Sequence, residues 1–280
     1  MTDAAGLLVR SADGARARVL LDGAQVTSWF PAGSTVDRLF VSPRAEYGPG
    51  LSVRGGIPIC FPQFGPFGAL PQHGFARNSR WAITDDSRAA QGELRLGLNE
   101  RDLPASRPEA ERLAWPHAFA ADLLVQVNGN ALTLTLGVTN TGTTAFTFTA
   151  ALHPYFAVRD AFTTSVRGLA GLTYRDALLA GAERLEGNGT LGITGPLDRI
   201  YYGAPDSLEL REPHRTLRIE KSGFSDAVVW NPGAAGTSSR RDFAPGDEHH
   251  LLCVEAAQVR SPITLAPGAR WSGMQRMIAG

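Results

Sequence analysis

Residues 131–139, Ala-Leu-Thr-Leu-Thr-Leu-Gly-Val-Thr, put Leu132, Leu134, Leu136 and Val138 on one face and threonines on the other. That period of two is the mark of a half-buried β-strand. Residues 143–149 repeat it with Phe146 and Phe148, and the turn-forming Asn-Thr-Gly-Thr at 140–143 lies between, so the two runs read as a hairpin. Residues 207–223 read as a second hairpin turning at Glu212-Pro213-His214-Arg215, and further strands are expected at 16–21, 24–30, 93–98, 122–127, 226–230, 251–257 and 262–266. Helical signals are few. Ser106-Arg107-Pro108-Glu109 suits the first turn of one short helix over 106–113, stopped by Trp115-Pro116. The Gly/Ser-rich stretch 233–239 and the polar stretch 240–250 read as one long loop. With no internal repeat and no low-complexity linker, the expectation is an all-β, antiparallel sandwich or barrel with few short helices, one domain over 1–280.

Composition narrows the partners. The chain has 27 basic and 27 acidic residues, a net charge of zero, which argues against a nucleic-acid partner. Lys221 stands alone against 26 arginines, so no single arginine is informative by its type. Cys60 and Cys253 lie in apolar stretches with no Cys-x-x-Cys spacing and read as buried thiols. No apolar run approaches 18 residues, so no membrane span is expected. Met1–Arg10 lacks the basic start and long apolar stretch of a secretory leader, and the expected setting is a cytoplasmic monomer.

Four segments break the alternation and gather polar groups beside aromatics: Val53–Gly65, Gln72–Arg77, Leu152–Phe156 and Leu252–Ala256. His153 ends a strong strand and precedes Pro154; it reads either as a strand-end imidazole bonded to a carbonyl or as a general acid or metal ligand. Glu255 sits in the apolar run Leu-Leu-Cys-Val-Glu-Ala-Ala, on the face of Leu251 and Cys253. Burial there would raise its pKa towards that of a general base, whereas an edge strand would turn it to solvent. Arg54 and Arg77, in glycine-containing turns, could grip a phosphate or carboxylate. His73 could be a second imidazole of the site, and Asp198 could bond sugar hydroxyls or cap a turn. There is no His-x-His or His-Glu-x-x-His, and His249-His250 would face opposite ways on a strand, so no metal is expected. Gly-x-Ser-x-Gly, P-loop and convincing dinucleotide fingerprints are missing too.

Taken together, RGGIPICFPQFG (54–65), QHGFAR (72–77), LHPYF (152–156), LDRIYY (197–202), DAVVWNP (226–232), CVEAA (253–257) and PITLAPGARW (262–271) resemble, in order and across most of the chain, the hexose-6-phosphate mutarotase branch of the aldose 1-epimerase family. The resemblance implies a galactose-mutarotase-like β-supersandwich with its sugar site on a concave face. It implies interconversion of the α and β anomers of an aldohexose 6-phosphate, glucose 6-phosphate foremost, with no cofactor. By motif match His153 is the general acid and Glu255 the general base. Arg54, Gln72 and Arg77 hold substrate, the arginines its phosphate; Asp198 contacts substrate and His73 is a secondary site residue. The family's continuation after Trp230-Asn231-Pro232 is bulkier and more basic than Gly233-Ala-Ala-Gly-Thr237, so the 233–241 loop is expected to border the site and bear on sugar and phosphate preference.

Anomerisation suits these residue types. The C1 hydroxyl loses a proton while the ring oxygen O5 gains one, the ring opens to the aldehyde, C1–C2 rotates, and the transfers reverse. A carboxylate and an imidazolium on opposite sides of the hemiacetal are expected to do both. The alternatives are a mutarotase of an unphosphorylated aldose, a carbohydrate-binding protein without turnover, and a glycoside hydrolase or lyase. The usual hydrolase would need a second carboxylate that no segment nominates.

Overall fold

A computed structural model describes residues 6–187 and 189–280; Met1–Ala5, half of the segment inspected for a leader, lie outside the described residues. Two large antiparallel sheets carry most of the chain. One runs, in spatial order, Ala182–Leu185, Thr173–Asp176, Leu197–Tyr201, Asp226–Asn231, Leu251–Leu265, Phe146–Leu152 and Ile59–Cys60, with the short strand Tyr155–Ala157 also paired to Leu251–Leu265. The other runs Thr190–Gly192, Ser165–Arg167, Ser207–Glu212, Arg215–Ser222, Arg270–Ala279, Ala131–Asn140, Phe119–Asn128, Glu93–Asn99 and Ala82–Asp85. A small three-stranded sheet, Leu7–Arg10, Arg16–Val19 and Val26–Phe30, is separate.

Alternation decides which side chains meet. Leu132, Leu134, Leu136 and Val138 from the second sheet and Phe148, Ala150, Leu152, Val254 and Ala256 from the first share one buried core. Gln275 crosses it, donating from Nε2 to the Val254 carbonyl at 3.0 Å. The intervening residues of Leu251–Leu265 face the other way. There Cys253 and Leu251 join Phe40, Tyr155 and Phe243 in one small apolar cluster, and Ala257 joins Cys60, Phe64, Ala151, Ile200 and Val228 in another. Glu255 stands between the two clusters in the chain. The first sheet is therefore buried on both faces near its middle, which is why the central strands read as nearly continuous apolar runs.

Several expectations change in detail. The runs at 131–139 and 143–149 do not form a hairpin: they belong to different sheets. Asn140 holds the crossover, its Nδ2 donating to the carbonyls of Thr144 and Leu265 and its Oδ1 accepting from Gly142 N–H, and both runs then turn their apolar faces to the same core. The strands expected at 251–257 and 262–266 are one strand with a register shift between Gln258 and Ile263. The 207–223 hairpin forms as expected. The helix expected at 106–113 is shorter, Glu109–Ala114, and ends at Trp115. The loop expected over 233–250 contains two short helices, Gly233–Ser238 and Asp247–His250. Tertiary bonds fold it: Thr237 Oγ1 donates to Glu248 Oε2 at 2.7 Å, and Asn231 Nδ2 donates to the carbonyls of Glu248 and Leu251. His249 and His250 therefore end a helix and are not on a strand.

Candidate active site

Opposed residues of an antiparallel pair share a face. Ile200 opposes Val228, and Val228 opposes Glu255; two residues along, Asp198 opposes Trp230, and Trp230 opposes Cys253. Asp198, Ile200, Val228, Trp230 and Glu255 of these rows line a cleft of about 390 Å³. All seven residues singled out in the sequence, Arg54, Gln72, His73, Arg77, His153, Asp198 and Glu255, line it. Glu255 is on a central strand, so the solvent-facing edge position weighed for it does not occur. Asp198 lies within strand Leu197–Tyr201 and caps no turn.

His153 comes at the break between strands Phe146–Leu152 and Tyr155–Ala157. Its backbone N–H is fixed on the Pro58 carbonyl at 3.1 Å, and that of Tyr155 on Gly56 at 2.8 Å. Three rings orient the imidazole: Tyr155 stacks on it at 4.9 Å, and Trp230 and His73 meet it edge-on at 6.0 and 5.7 Å. His153 Nε2 lies 3.3 Å from Glu255 Oε1. The two side chains expected on opposite sides of a sugar ring are thus in contact with one another.

Burial is the first cause of the electrostatics here. It holds the Glu255 carboxyl well above the usual carboxylate range, helped by the charge of Asp198 and opposed by Arg77. It holds His153 well below the ordinary imidazole value, helped by His73 and the guanidinium groups of Arg77 and Arg54. Burial thus disfavours charge on both members of the pair. Glu255 Oε2 and His153 Nδ1 are buried without a hydrogen-bond partner, which leaves bonding capacity for a polar ligand. Asp198 is pushed up to about 6 by burial and by Asp176, against the pull of Arg240.

The segment Gln72–Arg77 is pinned to Phe61, whose carbonyl accepts from the N–H groups of Phe75 and Ala76. His73 takes a left-handed backbone, φ 69°. Its Nδ1 accepts from Gly65 N–H at 3.2 Å, with the Cys60 thiol at the same distance, so the ring proton belongs on Nε2. Burial, Arg77 and Arg54 push its pKa down to about 3, which keeps it a neutral donor. Arg77 Nη2 donates to the Gln72 carbonyl at 2.8 Å, and among the described residues Arg77 pairs with no carboxylate. Arg54 is different. It is held by Asp242 (Nη2 to Oδ2, 2.9 Å), donates to the Tyr155 hydroxyl at 3.0 Å and lies over the Phe243 ring. Its charge is already shared with a carboxylate before any anion arrives.

Among the lining residues that the sequence did not single out are Tyr155, Trp230, Arg175 and Arg240. The first two lie inside recognised motifs. Arg175 and Arg240 carry no local signal; strand register and the folding of the 233–238 helix bring them to the cleft. As expected, the 233–241 stretch does border the site, through Arg240. Both cysteines are buried and unpaired. Among the described residues no group of three or more His, Cys, Asp or Glu side chains is placed to hold a metal ion, and no helix is long and apolar enough to cross a membrane.

Comparison with known proteins gives this fold and cleft a family. The aldose 1-epimerase family profile matches residues 7–277. A protein of Cenchrus ciliaris named "Putative glucose-6-phosphate 1-epimerase" is 37% identical over 277 residues, 95% of this chain and 82% of that one. A crystal structure from Salmonella typhimurium, described as a "putative mutarotase", superposes with a TM-score of 0.83 at 28% identity, covering 98% of this chain and 89% of that one. A galactose mutarotase-like protein from Lactobacillus casei shares the fold, with a TM-score of 0.74 at 16% identity over 98% of this chain and 100% of that one. The chain belongs to the aldose 1-epimerase family and is an isomerase.

Proposed function

We propose that this protein interconverts the α and β anomers of an aldohexose 6-phosphate, glucose 6-phosphate foremost, with Glu255 as base and His153 as acid. The observation that carries this is the 3.3 Å contact of His153 Nε2 with Glu255 Oε1 on the floor of an arginine-lined cleft. The pair holds one proton. At rest burial favours it on the carboxyl. Sugar hydroxyls that donate to the free Oε2 stabilise the carboxylate, and the proton moves across the contact to the imidazole. Glu255 then takes the proton from O1 while His153 gives one to O5, and the C1–O5 bond breaks to the aldehyde. After rotation about C1–C2 the two groups exchange roles and the ring closes on the other carbonyl face. The proton count of the pair is the same before and after, so no external acid or base is consumed.

Asp198 and the neutral His73 Nε2–H offer an acceptor and a donor to the ring hydroxyls, with Gln72 at the rim. Arg77 and Arg54 supply positive charge for the phosphate. Support for a phosphorylated sugar comes from this charge and from the name of the Cenchrus relative. Two-dimensional exchange NMR on glucose 6-phosphate and on glucose tests it. Glu255→Gln and His153→Ala are expected to lower exchange about 10³-fold, roughly 4 kcal/mol of barrier, with sugar binding retained. Unchanged exchange in both variants would remove the assignment. Equal acceleration of both sugars by the wild type would keep the reaction and dismiss the phosphate. Binding without acceleration would leave a carbohydrate-binding protein.

A further inference from the structure

The first sheet begins and ends on opposite walls of the cleft, and one contact joins those walls. Phe67 lies seven residues beyond Cys60, in the loop that leaves the edge strand Ile59–Cys60. Arg175 lies on Thr173–Asp176, five strand spacings away, about 24 Å measured along the sheet. Yet the Arg175 guanidinium carbon sits 4.7 Å from the centre of the Phe67 ring. Curvature of the sheet and the reach of the loop together bring them into contact, and both residues line the cleft.

Each partner is held in place. Gln63 fixes the loop, donating from Nε2 to the carbonyls of Gly65 and Leu70 and accepting from Leu70 N–H at 3.0 Å. Phe67, still 45% exposed, stacks on Phe64. Gly181 also abuts Arg175: an added Cβ there would lie 2.7 Å from Nη2. The guanidinium thus packs against both a ring and a glycine backbone. The ring contact spends none of its N–H donors. Glu183, directly opposite on the neighbouring strand, is engaged by Arg260 at 2.8 Å. Ile200 on the other side is apolar. Among the described residues Arg175 pairs with no carboxylate, and its Nε is buried without a partner.

We propose that Arg175, packed against Phe67 and Gly181, is a specificity-determining residue that donates from its N–H groups to the anionic group of the bound sugar. It rests on the phosphorylated-sugar function proposed above and adds a residue outside every recognised motif. Arg54 has spent part of its charge on Asp242; Arg175 has not.

Arg175→Met keeps the stem against Phe67 and removes the donors. By exchange NMR this variant is expected to raise KM for glucose 6-phosphate at least about tenfold, the loss of one charge-assisted hydrogen bond, with kcat held and exchange of glucose unchanged. Equal losses on both sugars would mark a merely structural bridge and overturn the assignment, as would no loss on either. Calorimetric binding of inorganic phosphate reads the anion site without turnover. Affinity falling about tenfold in Arg175→Met is expected; unchanged affinity, or none in the wild type, overturns it. A wild type that turns over neither sugar would defeat the epimerase proposal, and the phosphate titration would still decide the role of Arg175.

Discussion

At the scale of single residues, this site is a study in what burial does to charge. Glu255 is 2% exposed and His153 7%. Burial opposes charge on either, and the two lie in contact. Asp198 behaves differently because it is only part-buried. Its pKa of about 6 means that the folded protein binds a proton more tightly than the unfolded chain, where the ordinary carboxyl value is 3.8. The stability held below pH 3.8 is therefore lost as pH rises through 6. Asp198→Asn is expected to raise the melting temperature at pH 8 by the equivalent of about 3 kcal/mol and to leave it unchanged at pH 3.5, by thermal unfolding monitored at both pH values. The same substitution removes a charge that lifts Glu255, so an inflection near pH 6 in the wild-type exchange profile is expected to vanish.

At the scale of elements, special backbone positions aim the side chains. Gly74 follows His73 with φ 71°, and a Cβ there would meet the Phe61 carbonyl oxygen at 2.3 Å. Gly74→Ala is expected to cost about 2–4 kcal/mol, seen as a lower urea midpoint. His73 would be displaced with it, and exchange activity at a temperature where the variant is still folded should fall too. The 233–250 region shows the same dependence on single bonds. Thr237→Val leaves Glu248 Oε2 buried without its donor, and a loss of about 1–3 kcal/mol is expected by urea unfolding. Sequence periodicity could not foresee these helices, because both are too short to show a helical repeat and are held by Asn231, Thr237 and Glu248 across the loop.

At the scale of the whole molecule, a net charge of zero conceals an uneven distribution. Arg54, Arg77, Arg175 and Arg240 converge on one cleft, beside the carboxyls of Glu255 and Asp198, on which burial disfavours charge. Salt screens such a field over about 8–10 Å. KM for glucose 6-phosphate is therefore expected to climb severalfold between low salt and 0.5 M, with glucose unaffected; parallel curves for the two sugars would show that the cleft's charge plays no part in recognition.

Alternation along the chain was enough to establish an all-β architecture, since period two is a local property and burial on one face enforces it. It also put Leu251, Cys253 and Glu255 on a common face, as the structure has them. Motifs marked seven of the residues that line the cleft; all but Asp198, which lies within a strand, fall in short segments that break the alternation. What the chain alone could not show was which runs pair. The crossover at Asn140, the fusion of 251–265 into one strand and the meeting of Phe67 with Arg175 all depend on contacts between residues distant in sequence. The proximity of His153 to Glu255, 102 positions apart, is of the same kind. Side-chain chemistry is written in the sequence. The distance between two side chains is set by the register and curvature of the sheet that carries them, and only the tertiary structure decides it.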